Sequence, residues 1–293
     1  MKNFLSCGIL FFLLPVLLVF CWNGGTTVWG NSQTSDVALT VMLYQNSPQN
    51  EQPEALKAEA VVFRTVLEHY SAEEWHNLLQ TCVNVVQEKA YIEKRKMYEQ
   101  AVYEAANIQV KKGATEVYLP YHSISAGRTR ESKYTNLPYL SDEVSVTKRH
   151  TVNLQNMQLV SVESPWDREA TGFQQIFSFT EKYIQYKVFT KDAVKDATVH
   201  IQDIQMDKAG YVQYIQTEYS VVSGDQIREL LGLSSSCFTI HREGERWIFT
   251  CLGVGHGYGM SLYGCEILAK EGKSCQEILN YYYPQCEFSF IKR

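Results

Sequence analysis

The hydrophobic pattern of the chain changes its period close to residue 107, and this change limits the possible folds more than any other sequence feature. Before it, apolar residues such as Leu56, Ala60 and Phe63 recur at three- and four-residue intervals, which is typical of helices with one buried face. After it, polar and apolar residues alternate, or β-branched and aromatic residues cluster, as they do in strands. The chain is therefore predicted to have an α+β fold.

Capping residues predict where individual helices begin. Pro53 suits the first position of a helix whose sequence, EALKAEAVVFRTVLEHY, is rich in helix-forming residues. Ser71 and Glu74 form a capping box that opens a second helix, and the charged, periodic residues 91–106 predict a third. The apolar residues 36–44 are compatible with either a strand or the start of a helix.

The later part of the chain predicts strands, which fall within ATEVYLPYHSISAG, SVTKRHTVNLQNMQLVSVES, FSFTEKYIQYKVFT and AGYVQYIQTEYSVVSG and at residues 236–240 and 245–251. A glycine-rich turn at residues 253–259 leads into a helix near residues 260–270. Ser274 and Glu277 then cap a last helix before Pro284. We expect an antiparallel sheet core with helices grouped near the N- and C-terminal ends.

A nearly unbroken apolar run occupies residues 4–22, with Lys2 before it. At ~1.5 Å per residue such a run just spans a bilayer core of ~30 Å. A cleaved signal peptide is usually shorter and ends in small residues, which residues 23–25 match poorly. We therefore expect residues 1–22 to be an uncleaved N-terminal membrane anchor, with a cleaved signal segment as the alternative.

This anchor predicts where the rest of the chain is located. Residues 23–35 are small and polar, which predicts a linker. Residues 36–293 are predicted to form a single domain outside the cytoplasm. The protein is thus expected at the cell membrane as a single-pass protein, or secreted if the signal is cleaved.

The composition excludes one class of partner and leaves the cysteines open. With 27 Lys and Arg against 32 Asp and Glu, and no basic block, no nucleic acid partner is expected. Six of the eight cysteines lie outside the apolar run, and an even number permits disulfides outside the cytoplasm; buried free thiols are the alternative. No C-x-x-C motif is present, and neither a metal nor a cofactor is predicted.

Two polar clusters are candidates for ligand binding. In the glycine-rich turn, glycines permit close approach of a ligand, and the following helix offers free N–H groups. His256 in this turn can donate or accept a hydrogen bond, or transfer a proton. The alternative is a tight strand-to-helix connection without a ligand. The second cluster, residues 121–131, offers hydroxyls and an arginine suited to a polymeric sugar that carries carboxylates, or is a solvated loop.

Arg64 is a third candidate, because it lies on an otherwise apolar helix. Its guanidinium either extends to solvent or is buried and paired, with Glu59 or Glu68 of the same helix as the possible partners.

Several segments together resemble one protein family. The segment CLGVGHGYGMSLYGCEILAKEGKSCQEILNYYYP is similar to the C-terminal signature of the stage II sporulation protein D and LytB amidase-enhancer family, G-x-G-H-G-x-G-M-S-Q-x-G-A ending in I-L-x-x-Y-Y-P. PEALKAEAVVFRT resembles its E-A-L-K-A-Q-A-x-A-x-R-T helix, and YHSISAGRTRES its H-S-x-S-G-G-R-T-E loop. VESPWD and SGDQIRELLGLSSSCFTI match two further motifs in the same order.

The resemblance implies action on the cell wall. The better-known family members are lytic transglycosylases, which cleave between N-acetylmuramic acid and N-acetylglucosamine in peptide-free glycan strands and leave a 1,6-anhydro product. One Glu acts as acid and then as base, which requires a carboxyl of raised pKa. The resemblance thus implies peptidoglycan glycan strands as the ligand and, for a sporulation role in engulfment, other wall-processing proteins as possible partners.

The sequence departs from the family at the catalytic position. The family acid lies eight residues before the Glu that corresponds to Glu54, which is Asn46 here, and Pro48 falls on the family's Pro. An amide cannot donate a proton as an acid, and Glu51 is the nearest possible substitute. Some members hold zinc through the loop His and nearby cysteines, but no Cys accompanies His122 in that loop.

We therefore expect a degenerate member that binds glycan, with Asn46 at the inactive acid position. The alternatives are an active lytic transglycosylase that uses Glu51 or another carboxylate, and an amidase enhancer with an exposed aromatic patch near Trp166 and Phe173. The residues predicted to bind the glycan are Arg64, His122, Ser123, Ser125, Arg128, Thr129, His256, Gly257, Gly259 and Ser261.

Overall fold

The computed structural model describes residues 32–47, 50–112, 117–132, 143–147, 150–153, 158–189, 200–218 and 220–290. The predicted anchor and residues 23–31 of the predicted linker lie outside these ranges. Within them, no helix is both long enough and apolar enough to span a membrane.

The first third of the described chain is helical, as its sequence period predicts. Its helices are α1 (Ser32–Asn46), α2 (Pro53–Leu67), α3 (Ala72–Val85) and α4 (Lys89–Ala105). Helix α1 begins inside the predicted linker and includes the apolar residues 36–44, so this segment is helix and not strand. The predicted capping box is confirmed, since Ser71 and Glu74 bond each other's backbone N–H groups at the start of α3.

Short strands alternate with short helices in the remainder. The strands are β1 (Ile108–Lys111), β2 (Tyr121–His122), β3 (Glu143–Thr147), β4 (His150–Asn153), β5 (Gln174–Thr180), β6 (Ile201–Met206), β7 (Val212–Thr217), β8 (Val221–Ser223), β9 (Phe238–Glu243), β10 (Arg246–Leu252), β11 (Met260–Ser261) and β12 (Glu287–Phe290). The helices are α5 (Glu181–Ile184), α6 (Gly224–Leu231), α7 (Leu262–Lys270) and α8 (Cys275–Tyr282), with a 3₁₀ turn at Pro165–Glu169 and a π turn at Gln185–Phe189.

The described strands form five small sheets, which confirms the predicted α+β class and its mainly antiparallel pairing but divides the predicted sheet core into several parts. The orders are β1-β12, β5-β10-β9, β11-β2, β3-β4 and β6-β7-β8, and only the β2–β11 pair is parallel. Glycines with positive φ, such as Gly210, Gly232 and Gly244, turn the chain after short runs. Alternation in the sequence therefore predicted the strands but not their division among sheets.

One predicted strand is half wrong. In FSFTEKYIQYKVFT, β5 stops at Thr180, whose hydroxyl accepts a hydrogen bond from the backbone N–H of Tyr183 and caps α5. This N-cap, followed by Glu181 at the positive end of the helix, favours a helical turn over a continued strand.

Two hydrophobic cores organise the described residues. In the first, α2 contacts α1, α4, α7 and α8, and its Leu56, Val61 and Phe63 are fully buried. Helices from the N-terminal and C-terminal parts of the domain thus pack in one core, whereas α5 and α6 lie in the middle of the sequence. The second core contains Ile215, Trp247 and other residues of the β5-β10-β9 and β6-β7-β8 sheets, together with α5 and α6.

The glycine-rich turn links these cores. It leaves the second core after Cys251 and enters the first at Tyr258 and Met260, which immediately precede α7. The candidate site is therefore built where the two cores meet.

Candidate functional site

Two segments that the sequence singled out lie side by side: residues 121–130, here the His122 loop, and residues 253–259, here the glycine turn. Ile124 and Val254 exchange backbone hydrogen bonds of 3.1 and 2.7 Å, and the N–H of Arg130 donates to the carbonyl of Gly257 at 2.8 Å. The parallel β2–β11 pair extends this contact. The fold thus joins two predicted clusters that are far apart in sequence.

Packing accounts for two of the glycines predicted to contact a ligand. Gly257 and Gly259 have φ values of +81° and +70°, which side chains other than glycine adopt at a cost. A Cβ at Gly257 would collide with the ring of Tyr211, and one at Gly259 with the carbonyl oxygen of Pro120. Both residues are buried and shape the turn from within.

The two histidines of the site are buried and neutral. The Nδ1–H of His122 donates to the carbonyl of Tyr258 at 3.0 Å, while Nδ1 of His256 accepts from the Tyr258 N–H at 3.0 Å. Burial lowers the pKa of His122 to about 4 and, with nearby positive charges, lowers that of His256 well below its usual value. Neither histidine therefore carries a proton to donate as imidazolium at neutral pH.

Asp167 is a central residue that the sequence reasoning passed over. Its buried carboxylate accepts hydrogen bonds from the Ser125 N–H and from the Ser261 hydroxyl, both at 2.9 Å. Burial raises the pKa of Asp167, although these hydrogen bonds oppose the rise. The sequence signal for this residue is an Asp beside a Pro-Trp pair in the VESPWD motif.

Ser125 and Ser261 consequently have structural partners. Both are fully buried, and the Ser261 hydroxyl also caps α7 by accepting from the Gly264 N–H at 3.1 Å. The predicted loop residue Thr129 is buried as well, and its hydroxyl accepts from the Val162 N–H at 2.9 Å.

Arg130 fastens the His122 loop to the second core. Its Nε donates to Asp207 at 2.7 Å, and its Nη1 donates to Asp225 at 3.0 Å. The guanidinium lies 4.3 Å from the ring centroid of Tyr258.

The outer side of the site offers polar and aromatic groups. Ser123 is exposed, and the guanidinium of Arg128 forms an ion pair with Glu163 at the surface. Beside them, Trp166 packs on Tyr281 with ring centroids 6.1 Å apart, and the Tyr281 hydroxyl donates to the Glu163 carbonyl at 2.7 Å. These side chains form one surface, here the Arg128 surface.

Arg64 does not belong to this surface. Its guanidinium donates to the carbonyl oxygens of Ala105 and Ile108, at 2.9 and 2.5 Å, and so caps the end of α4. Of the alternatives left open by the sequence, Arg64 is paired, and its hydrogen-bond partners are these carbonyl oxygens, while Glu59 accepts from Asn50.

The acid position of the family is the exposed last residue of α1. The amide of Asn46 donates to the Met42 carbonyl of its own helix at 2.9 Å. Glu51, the predicted substitute, is also exposed and forms an ion pair with Lys94 at 3.0 Å. Its side chain therefore faces water and not an apolar cleft.

A different carboxyl, that of Glu59, lies next to this segment and is fully buried. Its Oε1 accepts from the Asn50 side-chain amide at 3.0 Å, and burial raises its pKa to about 8. The sequence carried two signals for it: an acidic residue within the apolar stripe of α2, and Glu where the quoted family motif has Gln.

Within the described residues, no cluster of three or more His, Cys, Asp or Glu side chains is arranged to hold a metal ion. The cysteines described there are buried free thiols, namely Cys82, Cys237, Cys251, Cys265, Cys275 and Cys286. Of the two alternatives left by the sequence, the structure has free thiols and not disulfides at these positions.

Comparison with known proteins gives relatives but no matching family model. The chain is 27% identical to stage II sporulation protein D of Bacillus subtilis (strain 168) and 26% identical to that of Bacillus amyloliquefaciens, each match covering 83% of this chain and 70% of the relative. It is 24% identical to the amidase enhancer of Bacillus subtilis (strain 168), over 80% of this chain and 38% of the relative. These similarities extend over most of the domain and agree with the ordered motifs, so they support a relationship to the family of stage II sporulation protein D and the LytB amidase enhancer.

Proposed function

We propose that this protein binds peptidoglycan glycan strands in sporulation or cell-wall processing, and that it has lost the lytic transglycosylase step. The names of the relatives, stage II sporulation protein D and amidase enhancer, support the cell-wall role. The proposals of glycan binding and of a lost transglycosylase step are argued from the residues of the site.

The observation that carries the proposal is the side chain at position 46. The side chain there is an amide, which cannot act as an acid, and it donates a hydrogen bond to the Met42 carbonyl of its own helix. Transglycosylation requires a carboxyl within about 3 Å of the glycosidic oxygen, or one water away. Glu51 is exposed and ion-paired with Lys94, and Glu59 is fully buried, so neither carboxyl is both accessible and free of a charged partner.

The Arg128 surface supports binding. Tyr and Trp rings stack on the faces of sugars, and a guanidinium recognises carboxylates such as those on muramic acid. Arg128 and Ser123 are accessible on this surface, next to the exposed Tyr281 and the half-buried Trp166. The histidines, glycines and buried serines hold the loops that present them.

A second candidate is the stimulation of a separate wall amidase, which the similarity to the amidase enhancer favours. The same exposed aromatic side chains would then contact a partner protein. In either case we propose that residues 4–22 anchor the domain at the outer face of the membrane, where glycan strands and other wall-processing proteins are available.

Two assays test the proposal. The purified chain is incubated with insoluble peptide-free glycan strands, with cellulose as the control, and we expect it to sediment with the glycan only. Soluble glycan digests are analysed by mass spectrometry for 1,6-anhydro-muramic ends, which we expect from Asn46→Glu and not from the wild type. Failure to sediment would refute glycan binding, and anhydro ends made by the wild type would refute the loss of cleavage.

A further inference from the structure

Arg168 is an exposed arginine that adjoins the Arg128 surface and has no charged partner there. It lies in the 3₁₀ turn Pro165–Glu169. Within the described ranges its guanidinium forms no ion pair, not even with the adjacent Glu169, and no side-chain hydrogen bond. The neighbouring Arg128, in contrast, is paired with Glu163. The N–H donors of Arg168 are therefore the ones available to an anionic ligand.

The guanidinium of Arg168 lies flat against the backbone of the His122 loop. Gly127 has a φ of +95°, and a Cβ on it would be 2.6 Å from Nε and 3.1 Å from Nη2 of Arg168. Because Gly127 has no side chain, the guanidinium can approach this closely and cover it, and Gly127 is accordingly buried. An arginine held in this way is preorganised, so it loses less conformational freedom when it binds a ligand.

Both sides of this contact are held by hydrogen bonds from the interior. Asp167, which directly precedes Arg168, accepts from the Ser125 N–H at 2.9 Å. On the other side, the Ser164 N–H donates to the Gly127 carbonyl at 2.9 Å. The 3₁₀ turn and the His122 loop therefore form one unit that fixes where the guanidinium lies.

The groups next to Arg168 suit a sugar that carries a carboxylate. Trp166, in the same turn, packs on Tyr281, and such rings stack on the faces of sugars. The guanidinium of Arg168 is planar and offers paired N–H donors that match the two oxygens of a carboxylate. Arg128 is less suited to this role, because a ligand carboxylate would have to displace Glu163.

We propose that Arg168 is the specificity-determining residue of the glycan site, and that its guanidinium binds the free lactyl carboxylate of N-acetylmuramic acid through two parallel hydrogen bonds. This inference rests on the proposed function. Where a stem peptide is attached, the lactyl carboxyl is an amide and carries no charge. Arg168 therefore selects peptide-free strands, since only these present a carboxylate to it.

The test removes the charge from each partner in turn. The full chain is sedimented with peptide-free glycan strands and with the same strands after their carboxylates have been coupled to methylamine. The wild type should bind the untreated strands about tenfold more tightly, because the charge-assisted hydrogen bonds are lost with the charge. Arg168→Met should bind both kinds of strand equally, at the level of the wild type on coupled strands. Arg168→Lys, which keeps the charge without the planar fork, should retain part of the preference.

Arg246→Met is the matched control, because it removes another exposed guanidinium and the same formal charge. Arg246 lies at the end of β10 that is remote from the glycine turn, and its Nε donates to the Ser178 hydroxyl. This variant should keep the preference of the wild type for untreated strands.

A second measurement tests the carboxylate contact without a glycan strand. The ¹⁵N-labelled chain is titrated at pH 6 with N-acetylmuramic acid, and with its methylamide as the control. The Nε–H resonance of Arg168, identified by its absence from Arg168→Met, should shift with the acid only. A shift without sedimentation on glycan would refute strand binding and keep the role of Arg168. An unshifted resonance, equal binding of both strands by the wild type, or a preference kept by Arg168→Met would each overturn that role.

Discussion

At the residue scale, positions 46 and 59 carry an amide and a carboxyl in places where the family resemblance leads one to expect a carboxyl and an amide. Asn46 is exposed and cannot supply a proton, whereas Glu59 can be protonated near neutral pH but has no access to solvent. Whether a side chain can act as a proton donor therefore depends on its burial as well as on its residue type. This is why the acid role cannot be moved from position 46 to Glu59.

Glu59 should make stability depend on pH. Its pKa rises from 4.5 in the unfolded chain to about 8 in the fold, so the stability it contributes is complete below pH 4.5 and is lost as the pH rises to about 8. At roughly 1.4 kcal/mol for each pH unit above 4.5, Glu59→Gln should be more stable than the wild type by about 3–4 kcal/mol at pH 7. Urea unfolding at pH 5, 7 and 8.5 measures this, and a variant no more stable than wild type at pH 8.5 would contradict it.

Asp167 gives a second prediction, because its carboxylate joins the His122 loop to α7. Asp167→Ala leaves the Ser125 N–H and the Ser261 hydroxyl without their acceptor in the interior, which should cost about 3 kcal/mol of unfolding free energy. Asp167→Asn keeps one acceptor and should cost less. Glu169→Ala, in the same turn but exposed, is the control and should unfold like the wild type in urea. If Glu169→Ala lost as much unfolding free energy as Asp167→Ala, the loss could not be assigned to the hydrogen bonds of Asp167.

At the element scale, local signals predicted the structure well wherever the determining contacts are local. The capping residues of α3 and α8 and the proline at the start of α2 gave the helix starts from sequence alone. Strand pairing depends on residues far apart in the chain, as in the contact of β1 with β12, and could not be read from alternation. The contacts of Asp167 and Glu59 are equally non-local, so their burial became visible only in the structure.

The glycine turn supplies the third prediction. Gly257→Ala must adopt a positive φ and also place its Cβ against the Tyr211 ring, whereas Gly272→Ala, at φ +87°, meets open space. The strain of a positive φ costs about 1–2 kcal/mol in both, and overpacking adds about 1–3 kcal/mol at Gly257 alone. Thermal unfolding of the two variants should therefore show the larger loss at Gly257. Equal losses would mean that the Tyr211 ring moves aside freely.

At the scale of the whole molecule, the two hydrophobic cores are joined through polar contacts. Arg130, in the His122 loop, reaches Asp207 at the β6–β7 turn and Asp225 at the start of α6. All three side chains are largely buried, with exposed fractions of 4% for the arginine and 9% and 11% for the aspartates. A buried charge cluster of this kind makes each core sensitive to the position of the other, since separating them would leave charges desolvated and unpaired.

Arg130→Met is the last prediction, since it removes the positive charge and leaves two carboxylates facing each other in the interior. We expect a loss of about 3–5 kcal/mol and an unfolding transition that loses its single-step character as the cores separate. Adding Asp207→Asn and Asp225→Asn to Arg130→Met should recover part of the loss, because the uncompensated charges are then gone. Lys208→Met is the control: its ammonium is 81% exposed and 3.8 Å from Glu131, so its removal should change stability by less than about 1 kcal/mol. Calorimetry of the wild type, Arg130→Met, the triple variant and Lys208→Met measures these differences in stability. An Arg130→Met variant that unfolds like the wild type would show that apolar contacts alone hold the cores together.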